Sequence, residues 1–76
     1  MLLNKFMAMI ATRTEYVLDV RTIDTDRFLR QIDSFDSQNE AKNYANSNPL
    51  TDKNEKYSVV CIQYDDEGNE IDAYAV

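Results

Sequence analysis

Apolar and polar side chains alternate most clearly over TEYVLDVRTID, residues 14–24. Tyr16, Leu18 and Val20 fall on one side; Glu15, Asp19 and Arg21 fall on the other, with Val17 and Ile23 among them. A period of two with β-branched and aromatic residues predicts a half-buried strand. DTD at 24–26 predicts a turn, because Asp and Thr side chains bond to nearby backbone. RFLRQIDSF then predicts a returning strand over 27–34. A two-residue loop at Thr25–Asp26 would set Arg21 opposite Arg30, which like charge disfavours. A three-residue loop over 24–26 is the expected register; it places Phe28 beside Thr22 and Ile32 beside Leu18. Arg30 then lies on the apolar side and has to reach the edge.

The pattern changes at FDSQNEAKNYANSNP, residues 35–49. Ser37 and Glu40 form the S-x-x-E capping box, and Asp36 and Glu40 suit the positive end of a helix dipole. Ala41, Tyr44 and Ala45 share one face at helical spacing. Asn46, Asn48 and Pro49 stop the run, so a short helix is predicted over 37–46. An isolated helix of that length is marginal, and packing has to hold it.

After a polar connection, KYSVVCIQY carries a continuous apolar middle from Val59 to Ile62. Such a run predicts a central strand covered on both faces. DDEGN predicts a type I turn with Gly68 in the left-handed position, and EIDAYAV predicts the returning strand. The expected pairing sets Ile71, Ala73 and Ala75 beside Gln63, Cys61 and Val59. The other face then carries Val60, Ile62, Tyr64, Tyr74 and Val76, with Glu70 and Asp72. The predicted fold is α+β: a β-β-α-β-β order, a four-stranded antiparallel sheet in spatial order 2-1-3-4, and one short helix on one face.

At 76 residues the chain is expected to form a single domain, 1–76. A core of this size buries only about 60% of the unfolded chain's surface. Residues 1–11 are expected to form a loose tail, or to cover part of the sheet through Leu2, Leu3, Phe6 and Ile10. Met7 and Met9 are alternative starts. Asn4 and Lys5 interrupt the apolar residues there, so neither a membrane span nor a secretory signal is expected, and the chain reads as cytoplasmic.

Candidate chemistry is sparse. The chain has no His and a single Cys, Cys61, which removes the usual general base, a zinc site and any internal disulfide. Cys61 sits mid-strand and reads as a packing residue. Asp65, Asp66 and Glu67 lack the alternating acidic spacing and the distal Glu of an EF-hand loop. One glycine cannot build a phosphate-binding loop. No catalytic residue, metal ligand or cofactor is expected, and the chain does not read as an enzyme.

Charge changes the picture more. The net charge is −6, which disfavours direct binding to nucleic acid. Arg13, Arg21, Arg27 and Arg30 each have acidic neighbours and read as a mixed solvated face. Residues 1–56 hold nine acids and eight bases, whereas residues 57–76 hold five acids, Asp65, Asp66, Glu67, Glu70 and Asp72, and no base. The C-terminal hairpin is therefore expected to steer a basic partner, with Tyr64 and Tyr74 as anchors. Acids that only keep an edge strand soluble are the alternative. Val60, Ile62 and Val76 are expected to form an uncovered sheet face suited to a homodimer. In size and charge the chain resembles small interaction proteins of phages and mobile elements, including anti-CRISPR and anti-restriction proteins. That resemblance implies an inhibitor that binds a basic surface of a larger, nucleic-acid-handling protein.

Overall fold

The computed structural model describes residues 12–76. The tail or cover expected of 1–11, and the alternative starts there, lie outside the described residues. The elements are β1 (Arg13–Thr22), β2 (Phe28–Phe35), α1 (Gln38–Ser47), β3 (Glu55–Tyr64) and β4 (Glu70–Ala75). They form the predicted α+β fold, with one antiparallel sheet in the order β2-β1-β3-β4.

β1 is the spine. It pairs without interruption along β3, from Arg13 opposite Tyr64 to Thr22 opposite Glu55. Tyr16, Leu18 and Val20 therefore stand beside Cys61, Val59 and Tyr57 on one face. The helix lands there. Leu18, Ala41 and Val59 form the buried centre, with Tyr16, Ile32, Phe35, Ala45 and Tyr57 packed against it.

The helix is held at both ends by local bonds. The Ser37 hydroxyl accepts the Glu40 amide at 3.2 Å, and the Glu40 carboxylate accepts the Ser37 amide at 3.1 Å. This is the predicted capping box. At the other end the Asn48 side chain donates to the Tyr44 carbonyl at 2.9 Å, and the Tyr57 hydroxyl donates to the Asn48 carbonyl. Tyr57 thus ties the helix end to β3. Tyr44 and Phe35 meet with ring centroids 5.8 Å apart, which joins the helix to β2.

The first hairpin differs from expectation in detail. Its loop closes where the Thr22 amide donates to the Arg27 carbonyl, so it is longer than the three residues 24–26. Asp26 takes the left-handed conformation (φ 56°), and the Thr22 hydroxyl accepts the Arg27 amide. Phe28 then faces Arg21, not Thr22. Two register shifts follow, and Leu18 comes to face Asp33, with Ile32 as the extra residue between paired neighbours. Arg30 does lie opposite Val20, on the apolar side. It reaches across β1 to Glu55, with guanidinium–carboxylate contacts of 2.9 and 3.3 Å.

The central position predicted for β3 is found, and its two faces are buried unequally, although Val17 and Asp19 of β1 are buried on the face away from the helix. Val59 and Cys61 are buried on the helix side, whereas Val60 and Ile62 are half-buried on the other. Among the described residues no helix or strand lies over that second face.

Leu18→Ala is expected to cost ~2–5 kcal/mol, because it empties the centre of the core. Ser37→Ala is expected to cost ~1 kcal/mol, the value of one cap. Urea unfolding of both variants checks this. A Leu18 loss no larger than the Ser37 loss would contradict the described core.

Candidate functional site

The C-terminal hairpin turns as its residue types dictate. The Gly68 amide donates to the Asp65 carbonyl at 3.1 Å, and the Asp65 amide donates to the Asn69 carbonyl at 2.9 Å. Gly68 takes φ 85°, and a Cβ there would meet nothing within 4 Å, so backbone conformation alone demands glycine. Asp65 is spent on this turn. Its carboxylate accepts the Asn69 amide at 2.8 Å and the Glu67 amide at 3.0 Å. These bonds hold its pKa below the ordinary 3.8.

One register shift, between Gln63 and Tyr64, reorganises the rest of β4. Near the turn Glu70 stays opposite Tyr64. Beyond it, Asp72 faces Gln63, Tyr74 faces Cys61 and Ala75 faces Val60. An extra residue in one strand sends every later side chain to the opposite face. Asp72, Tyr74 and Val76 therefore share the helix side with Cys61 and Val59, not the face expected for them. Ala73 and Ala75 take their places beside Ile62 and Val60. The expected pairing of Ala73 with Cys61 and of Ala75 with Val59 is replaced accordingly.

The expected site is thus split by the sheet. Asp66 and Glu67 are exposed at the tip. Tyr64, Glu70, Val60 and Ile62 lie on the face away from the helix, over which no described element packs. Tyr64 is not a free anchor. The Arg13 guanidinium sits 4.1 Å from its ring centroid, and its hydroxyl donates to the Glu15 carboxylate at 3.3 Å. Partial burial, with Glu15 beside it, pushes the Tyr64 hydroxyl above its ordinary value. Tyr74 is 45% exposed and Val76 49% exposed, so both remain open on the helix side, beyond the helix. Contact with the Cys61 thiol pushes the Tyr74 hydroxyl up.

Among the described residues the ion-paired acids all lie outside the second hairpin, although Asp19, Asp24 and Asp33 of the first hairpin make no ion pair either. Arg13 pairs with Glu15, Arg30 with Glu55, and Lys56 with Asp26 at 3.0 Å. Asp65, Asp66, Glu67, Glu70 and Asp72 make no ion pair with any described residue. A groove of about 500 Å³ opens between the end of α1 and the end of β4, floored by Leu18 and Val59 and rimmed by Lys42, Lys56 and Val76. Asp26, Asn46 and Ser58 add polar groups to its lining. Among the described residues no three His, Cys, Asp or Glu side chains gather as metal ligands, and no helix is long and apolar enough to cross a membrane.

Sequence reasoning missed the role of Arg13, because its contact with Tyr64 exists only in the β1–β3 register. It named Asp72 for its charge but missed its local bond: the carboxylate accepts the Ala73 amide at 2.9 Å. Asp followed by a small residue in an edge strand is the signal for such a local bond.

Comparison with protein-family models, with curated proteins and with solved structures finds no match for this chain.

Stability is expected to depend on pH in two opposite ways. Asp24, Asp26 and Asp65 are held below 3.8, by bonds from Thr25, Lys56 and Asn69 respectively. Their contribution is present above that value and is lost as pH falls through the lowered pKa. Asp19 is raised by burial, with Arg21 partly opposing. Its ionisation weakens the fold as pH rises from 3.8 through the raised value. Asp65→Ala should lower the melting temperature at neutral pH and matter less near pH ~3. Asp19→Asn should raise it at neutral pH and change little near pH ~3. Thermal unfolding at the two pH values checks both, and a reversed sign for either would refute its assignment.

Proposed function

We propose that this chain is a small binding protein that performs no chemistry of its own and docks its C-terminal hairpin on a basic surface of a larger protein. The carrying observation is the charge left unneutralised at one end of the sheet. Five acids lie in residues 57–76, with no base beside them in sequence and no ion pair among the described residues. Such a field steers a cationic partner and repels phosphate. Surfaces rich in Lys and Arg belong above all to proteins that handle nucleic acid, because neutralising phosphates is what gives them affinity. Occupying one would block it. In size and charge this reading suits an inhibitor of phage or mobile-element type. Asp66, Glu67, Glu70 and Asp72 supply the charge, Tyr74 supplies the open anchor, and Asp65 shapes the turn.

Val60 and Ile62 favour a second reading. They are half-buried on a face that no described element covers, beside Ala73 and Ala75, and would suit a homodimer. Val76, on the helix side, takes no part in it. That reading requires a dimer that persists at high salt and is broken by Ile62→Asp.

Reversing Asp66, Glu67 and Glu70 to Lys is expected to abolish capture of a basic partner from source lysate at low salt. The unaltered chain should retain the partner at low salt and release it at high salt. Affinity capture with mass spectrometry, run in parallel on both proteins, checks this. Equal capture by both would overturn the reading.

A further inference from the structure

The hairpin's outer strand offers more than charge. β4 is an edge of the sheet, and α1 packs on β1, β2 and β3 but not on it. The Val76 amide donates to the Val59 carbonyl at 2.9 Å. Alternation along an antiparallel ladder then turns the amides of Asp72 and Tyr74 toward β3, and those of Ala73 and Ala75 outward. Among the described residues the outward Ala73 amide is satisfied only by the neighbouring Asp72 carboxylate, at 2.9 Å. Ala75 has no such guard among the described residues. Both outward residues are small, so another backbone can approach closely.

The other edge is built differently. On β2 the Ser34 amide is likewise covered by its neighbour Asp33, at 2.8 Å. Two register shifts distort that strand's ladder, and Arg30 is already committed to Glu55. Distorted edges resist strand addition. β4 has its single shift beside the turn and is regular from Asp72 to Ala75.

We propose that the β4 edge accepts one extended, basic segment of the partner as a fifth strand, and that Asp72 selects for its charge. The inference rests on the hairpin being the docking end. Charge complementarity chooses the occupant. An incoming strand has to take the Ala73 amide from Asp72, which leaves that carboxylate without its donor. A Lys or Arg on the segment replaces the lost bond; an acidic segment, including a second copy of β4, adds repulsion instead. Backbone bonds at Ala73 and Ala75 give affinity that tolerates sequence, and alternate side chains of the segment meet Tyr74 and Val76 on one face and Ile71 on the other.

The test uses the full chain and a short synthetic peptide that alternates Lys and Val, followed by amide exchange and chemical shifts. Binding should slow exchange at Ala73 and Ala75. A peptide alternating Glu and Val should do nothing. Ala73→Pro removes the outward donor while sparing the bonds to β3, and should abolish binding. Asp72→Lys should weaken it at least about tenfold. The amide spectrum of β1 to β3 verifies folding, and Asp72→Lys keeps the test intact if the proline variant misfolds. No binding, or shifts confined to Asp66 and Glu67, would overturn the proposal. Partner capture separates the two readings. If capture survives Ala73→Pro but not reversal of Asp66, Glu67 and Glu70, the acidic hairpin stands and strand addition falls. If it survives both, both fall.

Discussion

A helix is ~10 Å across, whereas strands lie ~4.8 Å apart, so one helix shields two or three strands and not four. This chain has a single described helix of ten residues and a sheet of four strands. The helix settles over the β1 side, where Leu18, Ala41 and Val59 close the core. What is left over decides the rest: among the described residues no helix covers β4, Tyr74 and the following Val76 stay open, and the strand's outer backbone groups have no partner strand. A small protein with an open edge has to prevent indiscriminate pairing. Acids placed along that edge do so without adding bulk. The charge imbalance and the open edge therefore fall on the same hairpin, and the proposed selectivity for a basic partner rests on the same carboxylates that discourage self-association.

Much of this was legible in the sequence. Period-two alternation in β1, the capping box at Ser37 and Glu40, and the Gly68 turn each act within a few residues, so the residue types alone imply them. Strand order followed from the helix crossing back over the sheet. Register was harder. It depends on single-residue irregularities whose cause is spread over several partners. Thr22 and Asp26 lengthen the first loop, and the offset is then absorbed along β2. The shift beside Tyr64 was likewise invisible, and it moves Asp72, Tyr74 and Val76 across the sheet.

The candidate site suffered from that dependence more than the fold did. Asp66 and Glu67 stand at the tip whatever the register, and Asp65 shapes the turn. Tyr64 and Tyr74, paired as anchors by their spacing, separate to opposite faces, and Arg13 claims Tyr64. Asp72 gains a role that periodicity does not encode, because it comes from which way one amide points.

The most direct measurement is amide hydrogen exchange along β4 in the isolated full chain. Tyr74 and Ala75 are neighbours with opposite orientations, so solvent access through the strand as a whole affects them alike. Fast exchange at Ala75 beside slow exchange at Tyr74 is the expected result, and it marks an edge that is folded and free. Equal, strong protection at both would show that the edge is already paired, and would contradict the account of β4 as the surface left open for a partner.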